Sequence, residues 1–143
     1  MGETPGSRES QRTVLVVDDD PQVLMLISAI LKGGHYSVLT AANGDAAIAQ
    51  AKAYQPAIDL LLSDFSMPGM SGVDLATEMS AGRPGLKVLL MSGFPLATLV
   101  LREDWHFLPK PFVPSQLRAL ISWLIPEVER ARATAAGTLT TGE

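Results

Sequence analysis

Three of the eight aspartates in this 143-residue chain, Asp18, Asp19 and Asp20, are consecutive, and they follow directly on the apolar run Val14-Leu15-Val16-Val17. Asp64 ends a second such run, Leu60-Leu61-Leu62-Ser63. Adjacent carboxylates at the tip of a buried strand repel each other and lose solvation, so they persist most readily where a hard cation neutralises them. An all-oxygen donor set of this kind suits Mg²⁺, which keeps several waters and accepts one or two carboxylates. Each acid also has a plainer reading. Asp20 precedes Pro21 and reads as a helix cap, and Asp18 and Asp19 taken alone read as solvated loop acids. Two more polar groups end apolar runs: Ser92 after Val88-Leu89-Leu90-Met91, and Lys110 after His106-Phe107-Leu108-Pro109. Singly these are a turn residue and a surface cation. Together, a metal, a carboxylate, a hydroxyl and an ammonium supply what a phosphoryl group needs, namely charge neutralisation of its oxygens and an in-line acceptor. Asp64, the single carboxylate on the middle strand, is the natural acceptor.

Positioning these groups requires a particular scaffold. Five short β-rich runs, the four already named and Ser37-Val38-Leu39, alternate with segments of helical period. The first, third and fourth runs are continuously apolar, as strands covered on both faces are, which predicts a parallel sheet. Val23, Leu24, Ile27, Ile30 and Leu31 form a helical stripe with Asp20 as N-cap, Pro21 at the first position and Gly33-Gly34 as the stop. Further helices are predicted over 46–53, begun by Asn43-Gly44, and over 72–81. Leu117, Leu120, Ile121 and Leu124 give another behind Pro114, ended or kinked by Pro126. A short one must fit into 96–103. Strict strand–helix alternation gives a doubly wound five-stranded parallel α/β fold whose ligands lie beyond the carboxyl ends of the strands.

Composition excludes several classes. The length suits one core rather than two. Hydrophobic residues at 47% and charged residues at 18% describe a chain that folds. No apolar run approaches the roughly 18 residues of a membrane span, and the polar start has no signal-peptide core, so a cytoplasmic location is expected. With no cysteine, thiol catalysis, disulfides and Cys-type zinc sites are excluded. A net charge of −4 without a Lys/Arg cluster argues against a nucleic-acid partner. His35 and His106 read as a loop residue and a strand residue without metal partners, and Trp105 and Trp123 as packing groups.

From about residue 13 to 126 the chain resembles the receiver domains of two-component response regulators. The motifs are Val16-Val17-Asp18-Asp19-Asp20, the stretch from Ser63-Asp64-Phe65-Ser66-Met67-Pro68 to Gly72, Met91-Ser92-Gly93, and Pro109-Lys110-Pro111-Phe112. The resemblance implies a flavodoxin-like (βα)5 receiver fold. Asp64 would take a phosphoryl group from phosphohistidine on a sensor histidine kinase or histidine phosphotransfer protein. Asp19, Asp64 and the Ser66 carbonyl would bind Mg²⁺, with Asp18 acting through a bound water. Ser92 would be the switch hydroxyl, Lys110 the counter-charge to the phosphate, Phe107 the switch aromatic, and Lys110-Pro111 a cis bond. Such a domain is not an enzyme beyond its own phosphorylation and dephosphorylation. Residues 1–12 are expected to be disordered, and 127–143 to form a helical extension and flexible tail. No output domain is expected beyond Pro126, and the expected output is a surface offered to a downstream protein, by a monomer.

Some features depart from the commonest family pattern. Phe107 replaces a frequent tyrosine. Val113 stands where a capping Ser or Thr is common. Ser92 and Lys110 are only 18 positions apart, which shortens the helix between them. Asp18 and Asp20 also have the Asp-x-Asp spacing of haloacid dehalogenase-type phosphohydrolases, but Gln22 and the short chain argue against that family. Three aspartates after the first strand would repel a flavin phosphate. A pseudo-receiver that binds without phosphorylation is the remaining alternative, although all five active-site groups are present.

Overall fold

The computed structural model describes residues 11–54, 57–93, 102 and 104–126. Five strands, β1 (Thr13–Val17), β2 (Ser37–Ala41), β3 (Leu60–Asp64), β4 (Lys87–Ser92) and β5 (His106–Pro109), form one sheet in the order β2-β1-β3-β4-β5. All four pairings are parallel. The helices are α1 (Pro21–Gly33), α2 (Gly44–Ala53), α3 (Gly72–Gly82) and α4 (Pro114–Leu124). The helix expected over 96–103 lies outside the described residues. Among the described residues no helix is long and apolar enough to cross a membrane.

The continuous apolar runs behave as their patterning requires. Every residue of β1 is buried, and Leu60, Leu61, Leu62, Leu89 and Leu90 are fully so. Side chains alternate between faces along a strand, so β1 feeds two cores. Val14 and Val16 join Ile27, Leu31, Leu117 and Ile121 on the α1/α4 face, while Leu15 and Val17 join Ala47, Ala51, Leu75 and Met79 on the α2/α3 face. The small alanines of α2 and the close packing of the described helices on both faces leave the central strands without solvent on either side.

Helix starts follow their capping residues. Asp20 accepts from the Gln22 amide at 2.9 Å, Asn43 from Ala46 at 2.8 Å and Ser71 from Asp74 at 3.1 Å. α4 has no side-chain cap at Val113, as expected. Instead the Val113 amide donates back to Gln116 Oε1 at 2.9 Å, and Pro114 supplies a first position that needs no hydrogen bond. The Lys110–Pro111 peptide is cis.

Trp123 departs from the packing role expected of it. It is 67% exposed and meets the half-buried His106 ring edge-on, with centroids 5.4 Å apart. Its position two residues beyond Ile121 turns it off the apolar stripe of α4. Trp105, by contrast, is buried in the α2/α3-side core. At the opposite end of the sheet from the acids, Arg12 pairs with Asp59 at 3.2 Å and donates to the Pro126 carbonyl at 3.0 Å, tying the start of β1 to the segment after α4.

Burial of this completeness sets the size of a core mutation. Leu62→Ala removes a fully buried leucine between two helical layers and should cost about 2–5 kcal/mol, read as a lower urea midpoint at unchanged m-value. Met25→Ala, at a position 71% exposed, should stay within about 0.5 kcal/mol of the parent.

Candidate functional site

β1 and β3 are neighbours in the middle of the sheet, with Val17 opposite Ser63, so the next residues of both strands emerge side by side. There Asp18, Asp19 and Asp64 each present a carboxylate oxygen, and all three oxygens lie within 4.8 Å of one another. Asp18 is almost fully buried, Asp64 is half-buried and Asp19 is exposed. Asp20 does not join them; it caps α1, and its amide donates to Asp18 Oδ1 at 2.9 Å. The other edge of the site comes from β4 and β5. The Lys110 amide donates to the Ser92 carbonyl at 2.8 Å, continuing the pairing of Ser92 with Pro109. From there the Lys110 ammonium donates to Asp64 Oδ1 at 3.0 Å and to Asp18 Oδ2 at 3.4 Å.

Ser92 is buried at the end of β4. Phe107, half-buried, lies opposite Leu90 on β5. Ser66 stands two residues past Asp64 on the exposed part of the β3–α3 loop. The structure therefore gathers Asp18, Asp19, Asp64 and Lys110 into one cluster, sets Ser92 at the end of β4 and Ser66 in the loop after β3, and leaves Phe107 within β5, three residues before Lys110 and packed against the α2/α3-side core. A cleft of about 560 Å³ opens next to Asp19, between residues 42–45 and 68–70.

Charge is unbalanced here, with three carboxylates against one ammonium. Desolvation is the largest influence on Asp18 and raises its pKa above the ordinary carboxylate value. The Asp20 amide and Lys110 oppose the shift, and Asp64 adds to it. Burial works against the Lys110 charge, but its hydrogen bond to Asp64 and the charges of Asp18 and Asp64 outweigh it, leaving the pKa above the usual lysine value. The donor set is oxygen only and carries a net negative charge, which fits a hard divalent cation such as Mg²⁺.

One residue of the site has a role its sequence position did not announce. Gly72 reads as an ordinary helix start, yet a Cβ there would strike the Asp64 carbonyl oxygen and come within 3.1 Å of Asp64 C and Phe65 Cα. The Gly72 amide donates to the Phe65 carbonyl at 3.0 Å, so α3 begins flush against the strand end that bears Asp64. A glycine at the first helical position, where alanine is the better helix former, was the available signal.

A doubly wound parallel sheet with an acidic cluster and a lysine at its carboxyl edge defines a flavodoxin-like α/β domain. The chain belongs to the response regulator receiver domain family, whose model matches residues 14–122. It is 36% identical over 118 residues to the probable transcriptional regulatory protein TcrX of Mycobacterium tuberculosis, covering 76% of this chain and 49% of that protein. Among solved structures it resembles the response regulator TrrA of Thermotoga maritima in complex with Mg²⁺-BeF, at a TM-score of 0.72 and 26% identity over 80% of this chain and all of that one. The receiver domain of the hybrid histidine kinase CckA matches at a TM-score of 0.69 and 29% identity, covering 78% of this chain and 97% of that one. The chain spans about half, or less, of the length of the curated relatives it matches.

The crowding of acids has a measurable consequence. Asp18→Asn removes a buried charge that desolvation and Asp64 both disfavour, so in the presence of a chelator at pH 7 the variant should unfold at higher urea than the parent. The same variant should bind Mg²⁺ more weakly. A lower urea midpoint without metal would contradict the account of the site's electrostatics.

Proposed function

We propose that Asp64 accepts a phosphoryl group from a phosphohistidine of a sensor histidine kinase or histidine phosphotransfer protein, in a reaction that requires Mg²⁺. The observation that carries this reading is the placement of Asp64: it ends the middle strand with Lys110 Nζ 3.0 Å from one of its oxygens and two further carboxylates within 4.8 Å. A carboxylate oxygen of Asp64 attacks phosphorus. The P–N bond to the donor imidazole breaks as the P–O bond forms, and the imidazole leaves with the bonding electron pair. Lys110 is held where it can offset charge on the phosphoryl oxygens, and its raised pKa keeps it protonated throughout. Asp19, Asp64 and the Ser66 carbonyl would hold Mg²⁺, with Asp18 acting through a bound water. When bound, the ion neutralises phosphoryl oxygen charge.

Ser92 and Phe107 are the proposed reporters of the new phosphoryl group, a hydroxyl at the end of β4 and an aromatic ring on β5 whose positions can answer a charge on Asp64. The output is a surface switched for a downstream protein, offered by a monomer in the cytoplasm. The chain's chemistry is confined to its own phosphorylation and dephosphorylation. The family core is taken as 13–126, flanked by an N-terminal segment over 1–12 and a C-terminal extension over 127–143.

Incubation with acetyl phosphate and Mg²⁺ should add the mass of one phosphoryl group, and Asp64→Asn should not acquire it. Labelling of that variant at the parent's rate would overturn the assignment, and failure of the parent to label with any phosphodonor would favour a phosphorylation-independent binding module. Asp19→Asn should weaken Mg²⁺ binding at least about tenfold, or about 1.4 kcal/mol, by calorimetry.

A further inference from the structure

The acids of the site come from two segments, 18–19 after β1 and 64 onward after β3, and a third segment touches both. The Asp18 amide donates to the Ala41 carbonyl at the end of β2, at 3.2 Å. Three residues later, Gly44 opens α2 as a buried glycine behind the Asn43 cap. A Cβ built on Gly44 would lie 2.6 Å from Met70 Sδ, 2.8 Å from Met70 Cβ and 3.0 Å from Met70 Cγ. Met70 therefore lies along the bare Cα of Gly44 from its Cβ to its sulfur. Met70 in turn belongs to the β3–α3 loop, whose far end is fixed where Gly72 presses on the Asp64 carbonyl. Ser66 stands between Asp64 and this anchor, and the Gly44–Met70 contact borders the cleft beside Asp19.

We infer, building on the metal chemistry proposed above, that Gly44 and Met70 are positioning residues for the cation. Residues 41–44 act as a spacer, hydrogen-bonded to Asp18 on one side and packed under Met70 on the other, and so set the separation of the two acid-bearing segments. The Met70 Cβ cannot swing aside as the tip of its thioether can. An alanine at Gly44 must therefore push the loop backbone, and with it the segment that carries Asp64 and Ser66. Groups that hold ligands in place from outside the coordination shell commonly change metal affinity by roughly 10–100-fold when altered.

Calorimetric titration of the full chain with Mg²⁺, without any phosphodonor, tests this. Gly44→Ala should raise the Mg²⁺ Kd by roughly tenfold or more, whereas Gly82→Ala, whose Cβ meets nothing within 4 Å, should leave it unchanged. Amide hydrogen exchange of residues 65–71 in the metal-free protein should accelerate in Gly44→Ala, a readout that does not depend on metal. At saturating Mg²⁺ its labelling by acetyl phosphate should return to within about twofold of the parent, since the loss lies in binding rather than chemistry. If Gly44→Ala does not fold, Met70 decides: Met70→Ala should weaken Mg²⁺ binding, and the volume-conserving Met70→Leu should restore it. Parent-like Mg²⁺ affinity in both Gly44→Ala and Met70→Ala would overturn the inference. A parent protein that binds no Mg²⁺ would overturn the functional proposal instead.

Discussion

Like charges packed at the end of a buried sheet are the constraint on which this molecule is organised. Asp18, Asp19 and Asp64 converge to within 4.8 Å, and among the described residues Asp18 and Asp64 share one ammonium, that of Lys110. Such a cluster costs stability, because burial strips water from Asp18 and the Asp64 charge further disfavours its ionised form. Folding must supply that cost from elsewhere. It does so from β1, β3 and β4, whose apolar side chains are buried on both faces at roughly 1.5–3 kcal/mol for each large aliphatic group.

Holding repelling groups together also calls for rigidity that does not itself depend on charge. The contacts that fix the site are backbone hydrogen bonds and close packing: Asp18 N to Ala41 O, Phe65 N to Met91 O at 2.7 Å, Lys110 N to Ser92 O, and Gly72 against Asp64. None of these weakens when the carboxylates change protonation or acquire a counter-ion. The caps contribute in the same way. Asp20 fixes the first turn of α1 while its amide bonds Asp18, so one short stretch starts a helix and orients a site carboxylate together.

Where sequence and structure agree, the signal was local. Continuous apolar runs marked the central strands because burial on both faces leaves no polar positions, and Asp20 and Asn43 marked helix starts because a cap bonds amides two or three residues away. The acids and Lys110 were legible because each stands directly after such a run. What escaped depends on distant partners. Trp123 looked like a core residue by type, but the turn of α4 on which it sits decides its exposure. The importance of Gly44 and Gly72 lies in Met70 and Asp64, which approach them from other parts of the chain. Arg12, grouped by composition with the polar N-terminal segment, is held by Asp59 and by the carbonyl of Pro126, 114 positions away.

The two ends of β3 show how the same residue type serves opposite purposes. Asp59, just before the strand, accepts from the Arg12 guanidinium at 3.2 Å and from the Thr13 amide at 2.8 Å, while Thr13 also bonds the Tyr54 hydroxyl at 3.0 Å. That carboxylate has a cation of its own and a backbone donor, two charge-assisted hydrogen bonds that occupy both of its oxygens. Asp64, at the other end of the same strand, shares its cation with Asp18 and faces Asp19 besides. A saturated pair has nothing to gain from an incoming ion, whereas an under-neutralised cluster is stabilised by any divalent cation it admits. The contrast between Asp59 and Asp64 is thus set by how many carboxylates draw on one positive charge. It places the under-neutralised end of the domain at the carboxyl edge of the sheet and leaves the amino edge as its anchor.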